Sequence, residues 1–505
     1  MRIRTSRLSW SKLEADVLVV FVNSGEGIQK TLALLEKQFG LGLAGYVDQR
    51  GFEGKRGQKI LLPLLASGLS YKALLCVGVG DGSLTVDGWR EAYAHAVKAI
   101  DQSQFESLVV AEIGARRPRG EAFARMMGAA AEGAWLAGYR FHTYRPEPAK
   151  HEKSHVADLC FAGISAPEER AARGAFAQAE AIVLGVHLAR DLVNTPSSDM
   201  TPADMAEAAR RVAVRDARLS VEVIDRAEME QMGMGAALAV ARGSALEPQL
   251  VHLKYQPKAK AKKKMCVIGK AVTFDSGGLS IKAADGMMTM KCDMAGAAAV
   301  IGLFQALPEL APQVEVHGVF IAVENMPSGT AYRPGDVVKA MSGKTIEVLN
   351  TDAEGRLTLA DAIAYAAEYV QPDVIIDLAT LTGAAVIAVG EEITALFANE
   401  DRLAQNLQRA SEEVGEVMCR LPLYQPYQQL LKSKVADLKN IAGRAAGSIT
   451  AALFLQAFVP ENIAWAHLDI AGPAFMERDT RPDMPQGGTG WGVRTLARYL
   501  QSQNR

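Results

Sequence analysis

The sequence predicts two α/β domains joined by a helical connector, and three observations predict it. Strand-like and helical runs alternate through the N-terminal part of the chain, as in DVLVVFV at 16–22 followed later by WREAYAHAVKAI at 89–100. A polar, proline-bearing stretch, HTYRPEPAKHEKSH at 142–155, then interrupts the pattern and gives way to the alanine-rich segment 166–194. Beyond that segment the alternation resumes. Alternation of this kind indicates α/β layers, and a polar, proline-bearing break marks a domain edge. The expected boundaries are 1–165 for the N-terminal domain, 166–192 for the connecting helix and 193–505 for the second domain.

The whole-chain properties exclude several classes. With 505 residues, 49% hydrophobic and 22% charged, the chain has ample material for buried cores. A formal net charge of −2 predicts no general attraction to nucleic acid or an anionic membrane. Cys76, Cys160, Cys266, Cys292 and Cys419 are dispersed and without CxxC spacing, which suits a reducing compartment rather than a disulfide framework or a thiolate zinc site. The first twenty residues carry charges throughout, so no signal peptide and a cytoplasmic location are expected. The longest weakly polar run, VIIDLATLTGAAVIAVG at 374–390, contains Asp377 and falls short of the ~20 apolar residues of a membrane span. It predicts a buried strand followed by a turn.

In chain order, strands are expected at 16–22, 72–80 and 107–114, with a helix at 89–100. The glycines of VGVGDG at 77–82 predict a tight turn, since the lysine and spacing of a phosphate loop are missing. Thr201 and Pro202 mark a fresh helix start. The lysine run KAKAKKK at 258–264 predicts a solvated loop or hairpin before the strand MCVIG, with a nucleic-acid contact as the alternative.

Three segments carry the candidate chemistry. In NTDAEGRL, 350–357, Thr351 and Glu354 have the spacing of a capping box, and Asp352 favours the positive end of a helix. Against this, Gly355 in a first turn costs about 1 kcal/mol. The apolar period begins only with Leu359, Ile363, Ala366, Ala367 and Val370, so the helix is expected to start near Leu357. If 350–356 is extended instead, Asp352, Glu354 and Arg356 share one side, and paired carboxylates need a cation between them. In VIGKAVTFDSGGLSIK, Lys270, Asp275 and Lys282 surround a Gly277-Gly278 turn, where charges at the end of a buried strand are costly unless paired. A bridge from Lys270 to Asp275 is the simplest pairing. In MKCDMAGAAAVIG, Asp293 stands where a helix N-cap is expected.

All three segments lie at element ends in one α/β domain, where ligands gather at the carboxyl ends of strands. The eight histidines are dispersed, with neither HExxH spacing nor a triad pattern. The acceptors left are Asp275, Asp293, Asp352 and Glu354, enough to hold two divalent ions roughly 3.5–4 Å apart. Oxygen ligands suit manganese or magnesium, and zinc also accepts them.

The motifs GKAVTFDSGG, MKCDMAGAAA, NTDAEGRLTLADA, DLATLTGA and WAHLDIAG, in this order, resemble the leucyl aminopeptidase (cytosol aminopeptidase) family of two-metal exopeptidases. The resemblance is dense over 165–505. It implies a C-terminal metallopeptidase domain built on a mixed central sheet flanked by helices. It also implies that Lys270, Asp275, Asp293 and Glu354 hold a tight metal ion, and that Asp275, Asp352 and Glu354 hold an exchangeable one. A lysine ligand must be neutral, which a neighbouring dication would explain. Lys282 would stay cationic and stabilise an oxyanion, and Arg356 would anchor a bicarbonate acting as base. Met290, Thr380, Gly383 and Ala471 would form the side-chain pocket.

The implied reaction is attack of water, activated by two manganese or zinc ions, on the first peptide bond of substrates with a free N-terminus, leucine-like residues preferred. A homo-hexamer is implied by resemblance alone. Ala271 and Ala295 depart from the usual glycine or small polar residue at those places. Two other functions are kept beside this one: a DNA-binding or regulatory member of the family, and a dipeptidase specialised for a substrate such as cysteinylglycine.

Overall fold

Neighbouring side chains on a strand point to opposite faces, so a strand apolar at every position is buried on both. Val17, Val19 and Phe21 enter one core while Leu18, Val20 and Val22 enter another. In the computed structural model, which describes residues 1–39, 45, 47, 49–64, 70–81, 84–101, 103–111, 118–145 and 156–503, these residues form the centre of a six-stranded sheet. Its strands are β1 (Arg2–Thr5), β2 (Val17–Asn23), β3 (Lys59–Pro63), β4 (Ala73–Gly80), β5 (Ser107–Ala111) and β6 (Asp158–Phe161), in the order β1-β6-β5-β2-β4-β3. All neighbours are parallel except β3, which is antiparallel to β4. Helices Val86–Ile100 and Glu121–Ala137 cover one face, and Glu26–Phe39 supplies Ile28, Leu32 and Leu35 to the other. The end of the strand expected at 107–114 and most of the polar stretch 142–155 lie outside the described residues.

The chain divides into two compact units. One comprises Met1–Val183 with Asp479–Pro485, the other Leu184–Arg478 with Gln486–Arg505. The helix Ala166–Asn194 contributes to both.

In the second unit the strands of the two larger sheets are β7 (Leu219–Ile224), β8 (Gln249–Tyr255), β9 (Lys264–Gly269), β10 (Ala271–Asp275), β11 (Glu315–Asn325), β12 (Val337–Lys339), β13 (Thr345–Glu347), β14 (Val374–Ala379), β15 (Thr394–Ala398), β16 (Met418–Arg420), β17 (Leu438–Lys439) and β18 (Ala464–Asp469). Nine of them build a mixed sheet, β16-β15-β18-β14-β9-β11-β8-β7 with β10 beside β11, while β12, β13 and β17 form a small sheet of their own. The centre, β18-β14-β9-β11, is parallel, and β15 and β8 run antiparallel on its flanks. Parallel strands covered on both faces read as continuous apolar runs, which is why MCVIG and VIIDLA show no alternation.

The helix Gly355–Tyr365 packs with Cys266, Ile268, Val319 and Ile321. Ala295–Leu310 packs against β9, β11 and the helix Val493–Ser502. The stretch Ala284–Leu310 is long and apolar enough to cross a membrane by composition, but most of it is buried inside the molecule.

Several local expectations hold. Thr201 caps the helix Pro202–Ala213 in a complete capping box with Asp204. The lysine run is a loop, because the strands around it, β8 and β9, are separated by β11. The strand at 374–379 is followed by a turn, and then by a short helix, Gly383–Val389.

Asp361, in the middle of Gly355–Tyr365, is fully buried and accepts the N–H groups of Ala237 and Met341, each at 2.8 Å. Burial pushes its carboxyl from 3.8 up to about 7, against those two donors, which favour the charged form. An acid that is weaker folded than unfolded binds its proton more tightly in the native state. Its stabilising contribution is therefore complete below about pH 4 and is lost as pH rises through 7, an interval worth about 4 kcal/mol. Asp361→Asn should accordingly gain on the wild type in melting temperature between pH 5 and pH 8, and a pH-independent difference would contradict this assignment.

Candidate metal centre

Lys270 links the end of β9 to the start of β10. Its backbone is fixed on both sides: its N–H donates to the Leu378 carbonyl on β14 at 2.9 Å, and its carbonyl accepts from Ala297 at 2.9 Å. The ammonium, 3% exposed, is held by Asp293 Oδ1 at 2.7 Å, Glu354 Oε1 at 2.8 Å and the Thr380 carbonyl at 3.0 Å. The expected bridge from Lys270 to Asp275 is not formed, because Asp293 and Glu354 already take that ammonium.

Asp275 ends β10 directly opposite Asn325, the last residue of β11. Its Oδ1 accepts from Gly277 N at 2.9 Å and Asn325 Nδ2 at 2.8 Å, and its Oδ2 pairs with Lys282 Nζ at 2.9 Å. Lys282 also pairs with Asp352. Each lysine therefore joins two carboxylates.

The segment before Glu354 is a turn rather than a strand. Asp352 N–H donates to Asn350 Oδ1 at 2.9 Å, and Ala353 N–H to the Asn350 carbonyl at 3.3 Å. Thr351 cannot close a capping box, since its hydroxyl donates to the Gly277 carbonyl at 2.6 Å and accepts from Ser280 N–H at 2.8 Å. Glu354 is equally committed, to Lys270. The helix begins at Gly355 rather than near Leu357, with the Glu354 carbonyl accepting from Leu357 at 2.9 Å. A Cβ on Gly355 would lie 2.4 Å from Lys270 Cε and 2.7 Å from Nζ. What helix propensity scores as a cost is the clearance that the lysine needs.

Four carboxylates thus face two ammonium groups. Burial is the main cause that raises Asp293 and Glu354 above the ordinary carboxylate range, with Lys270 opposing it and the charge of Asp275 reinforcing it. Burial raises Asp352 as well, against its bond to Lys282. Burial also disfavours the charge on Lys270, but Asp293, Glu354 and Asp275 outweigh it and hold the ammonium above its ordinary range. These side chains by themselves therefore favour charged Lys270, and the neutral lysine implied by the resemblance requires an added cation.

The residues fit such a cation. One oxygen from each of Asp275, Asp293 and Glu354 lies within 4.8 Å of the others. Asp293 Oδ2 and Glu354 Oε2 are buried with no hydrogen-bond partner among the described residues. Buried acceptors without donors, in a cluster with excess negative charge, suit a hard or borderline divalent ion with oxygen ligands.

The other expected site residues sit on or next to the elements that carry the cluster. Arg356, 7% exposed in the first turn of the helix, donates from Nη1 to the Asn440 carbonyl at 2.7 Å, while its Nε has no partner among the described residues. Burial lowers its pKa to about 10, so it stays cationic at neutral pH. The Thr380 hydroxyl donates to Asp293 Oδ1 at 2.7 Å. Met290 opens the 3₁₀ turn that carries Asp293, Gly383 opens the helix after β14, and Ala471 follows β18.

Local sequence gave no sign of Asn325, whose part depends on strand register, or of Asn440, 84 residues beyond Arg356. Asp469 was detectable in principle, as a carboxylate ending an apolar strand.

Residues 187–497 match the cytosol aminopeptidase family, catalytic domain, and residues 19–148 match the N-terminal domain of the same family. A probable cytosol aminopeptidase of Roseiflexus castenholzii is 43% identical over 458 residues, 90% of this chain and 92% of the relative. One of Prochlorococcus marinus is 41% identical over 100% of this chain and 99% of the relative. The chain belongs to the cytosol aminopeptidase family.

Solved structures agree. The bottromycin maturation enzyme BotP in complex with Mn is 38% identical with a TM-score of 0.83, covering 97% of this chain and 100% of that one. A tomato leucine aminopeptidase mutant is 34% identical with a TM-score of 0.88, covering 99% and 96%. As a cytosol aminopeptidase family member the protein is a metal-dependent peptidase, and its mixed α/β fold is the one the motifs implied.

Gly355→Ala tests the clearance for Lys270. Gly→Ala in a helix normally stabilises by about 1 kcal/mol. Here the new methyl group should push Lys270 off its carboxylates, lowering the melting temperature and cutting peptide hydrolysis by at least ~10-fold. A more stable variant with full activity would show that Lys270 yields at no cost.

Proposed function

We propose that the protein is a cytoplasmic aminopeptidase that releases N-terminal residues, leucine-like ones preferred, using two divalent ions, manganese or zinc. The observation that carries this reading is the pair of partnerless buried oxygens on Asp293 and Glu354, inside a cluster closed on each side by a lysine. Lys270, Asp275, Asp293 and Glu354 would hold the tighter ion. Asp275, Asp352 and Glu354 would hold the other, and Asp352, a third exposed, accounts for its easier exchange. When bound, the ions polarise the scissile carbonyl and make water more acidic. The manganese complex of the similar BotP favours that metal.

The chain's own groups do the rest. Lys282, partly exposed between Asp275 and Asp352, presents an ammonium where negative charge develops on the carbonyl oxygen. Arg356, still cationic and with Nε unengaged, would hold a bicarbonate, which would supply a general base there. Met290, Thr380, Gly383 and Ala471 receive the side chain of the N-terminal residue. Assembly as a homo-hexamer is included on family resemblance.

Hydrolysis of leucyl-anilide tests the reading. A chelator should abolish it and added Mn²⁺ or Zn²⁺ restore it, while Asp352→Asn and Lys282→Met should each lose on the order of 10²-fold in kcat. Activity that survived both the chelator and Asp352→Asn would sink the two-metal mechanism.

A further inference from the structure

Asp469 ends β18 and is 1% exposed. A carboxylate so deeply buried is costly unless it is hydrogen-bonded, and the donors here all come from beyond its own strand. Oδ1 accepts from the N–H groups of Leu381 at 3.2 Å, Thr382 at 3.4 Å and Ala471 at 3.2 Å, and Oδ2 accepts the Thr382 hydroxyl at 2.7 Å. The same hydroxyl accepts from Ala385 N–H at 3.0 Å and so starts the helix Gly383–Val389. β14 and β18 are parallel neighbours with Ala379 opposite Asp469. The carboxylate therefore sits where both strands end, and it holds the two segments that leave them.

Those segments carry three of the four residues assigned above to the side-chain pocket. Thr380 directly precedes the clamped pair Leu381 and Thr382, Gly383 directly follows it, and Ala471 donates one of the N–H groups itself. Thr380 also gives its hydroxyl to Asp293 and its carbonyl to Lys270. One buried side chain thus fixes the pocket walls relative to each other and to the charged cluster.

We infer that Asp469 is a positioning residue that sets the shape of the side-chain pocket and, through it, the preference for large apolar N-terminal residues. This rests on the aminopeptidase reading given above. Asp469 itself touches no substrate in this role. Its asparagine isostere could keep its oxygen on the three backbone N–H groups only by turning its NH₂ group to the Thr382 hydroxyl. That hydroxyl would then accept instead of donating and lose the carboxylate as partner for its proton, so the clamp is weakened. Thr382→Val removes both bonds of the hydroxyl, the one it donates to Asp469 and the one it accepts from Ala385, and leaves the three N–H bonds to Oδ1 in place.

The test compares kcat and KM for leucyl- and alanyl-anilides in the metal-loaded full chain, with hydrogen exchange followed over 380–385 and 470–473. Asp469→Asn should lose roughly tenfold or more in kcat/KM for the leucyl substrate, mainly through KM, and no more than about threefold for the alanyl one. Thr382→Val should move the ratio in the same direction by less, and carries the test alone if Asp469→Asn does not fold. Exchange in both segments should quicken in Asp469→Asn. Asp361→Asn, a second fully buried carboxylate that accepts backbone N–H groups elsewhere, should change stability without changing the ratio.

A merely structural role would lower kcat for all substrates by one factor with KM unmoved, and that result would overturn the inference, as would an unchanged ratio in a wild type that prefers leucine. A wild type that hydrolyses neither anilide would instead overturn the aminopeptidase reading.

Discussion

The contact on which the rest of the site depends is the ammonium of Lys270 held between Asp293 and Glu354. Each partner comes from a different element: the lysine from the junction of β9 and β10, Asp293 from the turn ahead of Ala295–Leu310, and Glu354 from the residue that starts Gly355–Tyr365. Removing one member of a buried pair leaves an uncompensated charge, typically at ~3–5 kcal/mol. The sheet and the starts of two helices are therefore locked at one point, and Gly355 exists to let that point close. Stability and chemistry make opposite demands on this lysine. The side chains alone keep it charged, whereas coordination would need it neutral, and only an added positive charge in the carboxylate cluster reverses the balance.

The second half of the cluster is organised differently. Asp275 and Asp352 meet at Lys282, which is more exposed than Lys270, and their loops are joined by hydrogen bonds rather than by deep ion pairs. Thr351 is the joint: its hydroxyl serves Gly277 and Ser280, while its carbonyl accepts from Tyr332 at 2.7 Å and Asn325 at 3.1 Å. Asn325 in turn holds Asp275. The Lys270 side of the site is thus deeply buried, and the Lys282 side lies nearer solvent. This asymmetry suits the proposed pairing of a tight ion with an exchangeable one, because affinity follows the preorganisation of the ligands.

Much of this could be read from the chain, and the limits have physical causes. The apolar runs at 17–22, 265–269 and 374–379 declared themselves as buried strands because both faces are covered. Thr201 declared a helix start because its capping partner, Asp204, lies three residues away. The same logic failed at Thr351, whose spacing to Glu354 is that of a capping box but whose hydroxyl is taken by a loop more than seventy residues earlier in the chain. Local rules fail where tertiary partners outbid local ones, and such places are commonly functional. Asp275 was identifiable because a charge at the end of a buried strand demands a partner, and Asp293, Asp352 and Glu354 because they stand where helices are entered. Their pairing was not, since it depends on which strand lies beside which: β10 against β11 sets Asn325 on Asp275, and β14 between β9 and β18 brings Thr380 to Lys270.

On the proposed reading, Thr380 shows why recognition and chemistry are hard to separate in this fold. Its hydroxyl and carbonyl bind the two members of a buried ion pair, Asp293 and Lys270, and the residues after it are held by Asp469. A parallel sheet releases every central strand at the same end, so groups that recognise a side chain and groups that hold charge emerge side by side from β9, β14 and β18. A shift in the loop after β14 cannot leave the cluster unaffected, because Asp293 and Lys270 would each lose a bond. In the proposed aminopeptidase, substrate fit in the pocket and the geometry of the charged cluster are therefore linked through one short loop, by the bonds of Thr380 to Asp293 and Lys270. On that reading, a side chain that seats well would steady the groups that act on the bond next to it.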